Sequence, residues 1–432
     1  MSLLKNVSAR WIRWVVLSLS LGCASLALGA EQSGARKAGS AAEWLPAREI
    51  LVHTPGEELF LGVLHPAAAL FERVFSLAGA QREHQKYVDV LRGAGVKVHL
   101  LSDLLLEGTL DARGERLENE ATQGLRKLAA AALSYDSSAL SPELKAEQIK
   151  VHQATLLGLH PRELLRTVLH RPKIQLRSTG KLNTGLAARY ELEPLMNLYF
   201  MRDPLITTAL GVVIGNLNSP QRRFEVDVVR FALQKLKIQP IFVVSGEGRL
   251  EGGDFMPAGD VAFLGQGLRT NAQAVRMLLE KKVFGTKTVA IVKDPWQNQI
   301  QMHLDTYFNL ISPKLAVLEA SRAEVQARRP TVDVYELRED RYQKVRGDVD
   351  FRGYLEKTLG FKVLLVSKED QARYGVNFLT LASQKLVGVD GVSETYKKQL
   401  REQGVEIQWL DLRNLTGGYG AAHCMTQVLS RQ

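Results

Sequence analysis

Apolar and polar positions follow two rhythms along this chain. "EILVHTPG" (49–56) is a short apolar run that breaks into a turn, and predicts a strand. In "QREHQKYVDVLRGAGVKVHLLSDLL" (81–105) apolar residues recur at helical spacing, glycines stop the helix, and an alternating run predicts a strand. Residues 107–185 change character. "ENEATQGLRKLAAAALSY", "SPELKAEQIKVHQATLLGL" and "HPRELLRTVLH" all carry helical periodicity, with an N-cap signal at Ser141-Pro142-Glu143. This block predicts a helical insertion.

Strand and turn signals return with "NLYFMRDPLITTALGVVIGNL" (197–217). A helix is predicted over 223–237, a strand in "IQPIFVVSG", a helix from Asn271 and a strand in "TKTVAIVK". Residues 319–348 carry no clear pattern. Beyond them come the helix "FRGYLEKTLGF", the strand "KVLLVS", the paired run "NFLTLASQKLVGVD", the helix "SETYKKQLREQGV" and the strand "IQWLDL". A unit of paired strands, helix and strand thus recurs, too weakly to prove a repeat. No Walker loop or G-x-G-x-x-G follows a strand. The pattern fits one large domain over 46–432.

The N-terminus departs from this rhythm. Lys5, Arg10 and Arg13 precede an apolar run from Trp14 to Leu28 and the Ala27-Leu28-Gly29 pattern. This is the layout of a secretory signal peptide over 1–29, short for a membrane span. Residues 30–45 read as a flexible Gly/Ala/Ser tether. The net charge of +10 falls to +7 once the three basic residues before Ala30 are removed. The surplus is scattered, with no dense basic stretch or aromatic ladder, so nucleic acid is not an expected partner. Of the two cysteines, Cys23 leaves with the signal peptide and Cys424 remains. A lone thiol in an exported chain is either buried and inert or kept for chemistry.

Four stretches hold polar groups where strands and turns are usually apolar or neutral. They are Arg202-Asp203 in "FMRDP", Glu251 and Asp254 in "LEGGDF", His303 and Asp305 in "MHLDT", and His423-Cys424 in "LTGGYGAAHCMTQVL". On a strand, His303 and Asp305 would face the same side. Each stretch alone also reads as ordinary turn chemistry or a surface pair. Met256 and Met302 read as core fillers. No H-E-x-x-H or C-x-x-C spacing points to a metal. Taken together, carboxylates, a histidine and a thiol suit a planar cationic amidine. Two carboxylates grip it by forked hydrogen bonds, and its charge favours a neighbouring thiolate that attacks the central carbon.

With these motifs the chain resembles the arginine deiminases of the guanidino-group modifying superfamily. "FMRDP", "LEGGDFMPAGD", "MHLDTYF" and "GGYGAAHCM" stand in that family's order, and the likeness runs over 48–429. The resemblance implies an α/β fold, a pseudo-fivefold α/β propeller of ββαβ units with a helical insertion. It implies Cys424 as nucleophile, His303 as general acid/base, Glu251 as its support, and Asp203 and Asp305 as the guanidinium grip. It places Asn197, Phe200, Arg222, Asp254 and Arg269 around the substrate, with both arginines on an α-carboxylate. The chain departs at Tyr419, where many members carry arginine.

The resemblance implies hydrolysis of L-arginine to citrulline and ammonia, with no cofactor and no metal. Two alternatives stay open: transfer of the amidino group to an amine, and an exported arginine-binding protein without catalysis. A periplasmic or secreted location follows from the N-terminus, with an N-terminal membrane anchor as its variant. The sequence leaves the oligomeric state open, a homo-oligomer included.

Overall fold

The computed structural model describes residues 36–180 and 185–432; the expected signal peptide lies outside them. Five three-strand units share one plan, an antiparallel pair followed by a parallel third strand. Leu205–Thr207, Val212–Ile214 and Phe242–Val243 form the first, with Leu205 opposite Ile214 and Val213 beside Phe242. Phe255–Ala258, Val261–Gln266 and Thr288–Lys293 form the second. Phe308–Ser312, Leu315–Glu319 and Lys362–Val366 form the third. Leu379–Ala382, Lys385–Val389 and Glu406–Leu410 form the fourth. The fifth joins both ends of the described chain. Gln427–Arg431 runs antiparallel to Ala47–Val52, which runs parallel to Lys97–Leu100. This is the α/β propeller that the resemblance implied.

A parallel strand pair needs a crossover, and helices supply it. Ala272–Glu280 starts where the Asn271 side chain accepts the Ala274 N–H at 3.0 Å. Its buried face is Ala274, Val275, Leu278 and Leu279, the stripe that helical periodicity predicts. Strands between two helix layers are buried on both faces and read as continuous apolar runs. "VAFLG" and "TVAIV" do so at the centre of the second sheet.

Four expectations change. The insertion holds the expected helices Glu120–Ala132, Pro142–Gly158 and Pro161–His170, but also a sheet. Its strands are Ser134–Ala139, Pro172–Ser178 and Leu186–Leu192. These strands are only partly covered, so no continuous apolar run marked them. The patternless stretch 319–348 holds most of a hairpin, Thr331–Arg338 and Arg341–Asp350, which extends the second sheet beside Thr288–Lys293. His303 and Asp305 lie on no strand. His303 precedes the 3₁₀ turn Leu304–Thr306, which carries Asp305.

The fourth change concerns the tether. Residues 36–45 are packed, and Ala38, Ser40, Ala42 and Glu43 are buried. Backbone N–H groups of Gly39, Ser40 and Glu43 donate to the carbonyls of Leu429, Thr208 and Pro257 at 3.0, 2.9 and 2.9 Å. The segment is therefore a strap across three sheets. Small residues let it lie close, and Glu43 points inward to accept from Arg431 Nη2 at 2.6 Å.

Candidate active site

A narrow cavity is walled by seven of the ten residues singled out from the sequence: Asn197, Phe200, Asp203, Arg222, Arg269, His303 and Cys424. Asp305, Glu251 and Asp254 stand directly behind that wall, all buried. Leu70, Gln299, Met302, Gly418, Tyr419 and Gly420 complete it. Met302, read as a core filler, is thus a wall residue.

Cys424 arrives on the loop between the 3₁₀ turn Leu415–Gly418 and the strand Gln427–Arg431. The loop is pinned along its length. The Glu83 carboxylate accepts the N–H groups of Asn414 and Leu415 at 2.9 and 3.0 Å. The Tyr199 hydroxyl donates to Leu415 O at 3.1 Å, and the Tyr87 hydroxyl to Ala422 O at 3.0 Å. Gly420 allows the close fit, since a Cβ there would lie 2.5 Å from the Phe200 ring and 2.9 Å from Cys424 Cβ. Thus the run of small residues before the cysteine brings backbone, aromatic ring and sulfur together.

The turn Gly252–Asp254 carries Asp254 and is preceded by Glu251 at its N-cap. A Cβ on Gly253 would stand 2.7 Å from His303 Nδ1, so glycine lets the imidazole press on the backbone. His303 Nε2 meets Glu251 Oε2 at 2.8 Å, and its Nδ1 lies 3.8 Å from Asp203 Oδ1. Burial alone would lower the pKa of His303, but Asp203, Glu251 and Asp254 outweigh it and hold the imidazole up at about 9. Burial raises Glu251, yet His303, Arg269 and Arg222 bring it down to about 2. Asp254 is pushed up by burial to about 7. Its Oδ1 accepts the Leu304 N–H at 3.0 Å, so it braces the turn that bears Asp305 and does not reach the cavity.

Asp305 Oδ2 accepts from His423 Nδ1 at 2.7 Å and lies 3.4 Å from Cys424 Sγ. Burial opposes its ionisation, but His423, His303 and Arg202 overcome that and hold it below the ordinary range. The thiol moves the other way. Burial first, then the negative charges of Asp305 and Asp203, push Cys424 well above the usual thiol range. The resting sulfur is therefore protonated, and a cation must enter to favour the thiolate. Asp203 Oδ1 and Asp305 Oδ1 are buried without hydrogen-bond partners. Unsatisfied buried carboxylate oxygens beside a thiol are what a guanidinium would fill.

The two arginines differ. Arg222 is forked onto Glu225, Nε to Oε1 at 2.9 Å and Nη2 to Oε2 at 2.8 Å, while Nη1 reaches Asp203 Oδ2 at 2.7 Å. Arg269 donates to Gln299 Oε1 at 2.9 Å and keeps Nε unpartnered. Asn197 donates to Ala69 O at 3.1 Å. Arg202 donates from Nε to His423 O at 3.2 Å and so braces the loop that carries Cys424.

Several functional candidates escaped the sequence. Glu225 had a signal, its i+3 spacing from Arg222. Glu43, Asn377 and Gln299 had none. Asp203, Glu251 and His303 offer ligand atoms within 4.8 Å of one another. Asp203, Glu251 and Asp254 hold the His303 imidazole up at about 9, and as a ligand it would first have to give up that proton.

A sequence model described as "Arginine deiminase" matches residues 68–431. The chain belongs to the arginine deiminase family. An arginine deiminase of Halobacterium salinarum is 26% identical to it over 91% of this chain and 97% of that protein. One from Listeria monocytogenes is 26% identical over 89% and 95%. Among solved structures, a Pseudomonas aeruginosa DDAH complexed with citrulline superposes with a TM-score of 0.53 at 13% identity, covering 90% of this chain and 100% of that one. That last likeness is one of fold. The family places the thiol, the paired carboxylates and the imidazole in an enzyme that acts on a guanidino group.

Proposed function

We propose that the protein hydrolyses L-arginine to L-citrulline and ammonia through a covalent intermediate on Cys424. The observation that carries this reading is the pair of unpartnered buried oxygens, Asp203 Oδ1 and Asp305 Oδ1, beside a thiol that burial and then their charges push well above the usual thiol range. The guanidinium enters between the carboxylates and offsets that charge. The thiol proton leaves to solvent as the cation enters, and sulfur attacks the guanidinium carbon. His303, protonated at rest, gives its proton to one amino group. The C–N bond breaks, ammonia leaves, and an S-alkylthiouronium remains on Cys424.

Neutral His303 then takes a proton from water as the oxygen attacks the same carbon. The C–S bond breaks, and the protonated urea product gives its surplus proton back to sulfur. The proton first released by the thiol leaves with ammonia as ammonium. Arg269, with its free Nε, and Arg222 attract the α-carboxylate at the other end. Mass spectrometry of the protein mixed with L-arginine tests this. Citrulline and a transient adduct on the Cys424 peptide are expected, with no new amidino product when glycine or ornithine is added. Transfer to either amine would replace hydrolysis by amidino transfer, and unchanged arginine would leave only binding.

We also infer export from the basic residues, the apolar run and the Ala27-Leu28-Gly29 pattern. Among the described residues no helix is long and apolar enough to cross a membrane. N-terminal sequencing of protein from the producing cell should begin near Ala30, and a soluble cytoplasmic form starting at Met1 would refute export.

A further inference from the structure

Asn377 lies just before the strand Leu379–Ala382 and is buried. Its amide makes four hydrogen bonds. Oδ1 accepts the N–H of Ala421 at 3.0 Å and of Cys424 at 3.2 Å. Nδ2 donates to Asp305 O at 3.0 Å and to Cys424 Sγ at 3.1 Å. The network fixes the amide's orientation. Two backbone N–H groups require the oxygen on one side, and a carbonyl requires the NH₂ on the other. A flipped amide would set donors against donors.

The sulfur's other neighbours are poorly suited to a negative charge. Asp305 Oδ2 stands 3.4 Å away, and Asp203 adds a second anion across the cavity. Tyr199 is a buried phenol behind the loop, and His303, Arg222 and Arg269 share the cavity wall but are engaged with carboxylates or Gln299. The Asn377 amide favours the thiolate directly, its Nδ2–H donating to Cys424 Sγ at 3.1 Å, and its Oδ1 pins the loop that carries the sulfur by accepting the Ala421 and Cys424 N–H groups.

We propose that Asn377 is a catalytic residue whose Nδ2–H stabilises the Cys424 thiolate, both when sulfur attacks and when it leaves. The proposal rests on Cys424 being the nucleophile. Its role differs from that of the carboxylates. They recruit the cation and oppose the anion, whereas Asn377 lowers the energy of the anion that the cation's arrival permits. A residue that only braced the loop would not need its second N–H on sulfur.

The test is the pH dependence of Cys424 alkylation by iodoacetamide, read on the Cys424 peptide by mass spectrometry, for wild type and Asn377→Asp. Aspartate keeps an acceptor for the two backbone N–H groups and replaces the donor that faces sulfur. The alkylation midpoint should move upward by more than about one pH unit, because a hydrogen bond to a charged partner is lost and the new carboxylate repels the thiolate; Asn377→Ser, which adds no charge, should move it upward by about one to two units and isolates the lost bond. On L-arginine, kcat should fall about 10- to 100-fold, with KM changed less than about threefold. An unmoved midpoint in a folded variant would reduce Asn377 to a brace and overturn the proposal. Should Asn377→Asp fail to fold, Asn377→Ser removes the same donor without adding charge and is read in the same way. Alkylation needs no arginine, so a wild type that makes no citrulline would sink the arginine reading while the midpoint still decides Asn377.

Discussion

The resting thiol of Cys424 faces a carboxylate, and the size of that opposition can be worked from the structure. A thiolate 3.4 Å from Asp305 Oδ2 meets a repulsion of about 5 kcal/mol at an effective dielectric of about 20. That is an upper bound equivalent to about three and a half pH units. A cation in the cavity cancels most of it; a neutral molecule of the same shape does not. Chloroacetamidine and chloroacetamide form such a pair. Near pH 7 the cationic reagent should alkylate Cys424 at least about a hundredfold faster than the neutral one, after correction for their rates with a small free thiol. In Asp305→Asn the neutral reagent should gain and the ratio should shrink. The assay is the rate of mass gain on the Cys424 peptide from pH 6 to 10. A corrected ratio near one would refute the reasoning and leave a thiol that needs no cationic partner.

Cys424→Ser should abolish turnover in a citrulline assay, because a hydroxyl of ordinary acidity is a poor nucleophile; a retained rate above about a tenth of wild type would move the nucleophile elsewhere. His303 carries charge through neutrality because its carboxylate neighbours outweigh burial and hold it at about 9. The proton it gives the leaving group is lost as pH rises through that value, so kcat should fall above about pH 9 and hold steady through neutrality. Its ion-pair stabilisation should likewise be full below about pH 6.5 and vanish as pH rises through about 9, lowering Tm across that window. Arg222→Ala leaves Asp203 and Glu225 as buried, unpaired carboxylates, a change of about 3–5 kcal/mol. Tm should drop, and activity should fall on both L-arginine and agmatine. A variant with normal Tm and full activity on agmatine would show Arg222 to be a carboxylate ligand alone.

The sequence was most legible where burial on two faces left unbroken apolar runs. "TKTVAIVK" became Thr288–Lys293, and "SETYKKQLREQGV" became Glu394–Glu402 with Ser393 as its cap. The candidate site was legible because charged groups stand out against such runs, and seven of its ten residues share one cavity wall. The insertion's strands were hidden because half-covered strands carry no strong period, and flanking helices dominated the pattern. Glu43 was hidden in a stretch of small residues that looks unstructured until three sheets supply its partners. Asn377, in "YGVNFLT", had nothing to mark it, since its importance lies wholly in contacts with residues 305 and 421–424.

The fifth sheet has a consequence for the order of events in a living cell. Its strands Ala47–Val52 and Lys97–Leu100 leave the ribosome early, and Gln427–Arg431 leaves only after every other sheet has been made. The sulfur is synthesised just before that closing strand. On the proposed mechanism no fragment that stops short of Cys424 carries the nucleophile, so interrupted synthesis yields only inert pieces. A chain threaded unfolded through a membrane would cross before that last strand docks, and would consume no arginine on the side where it was made.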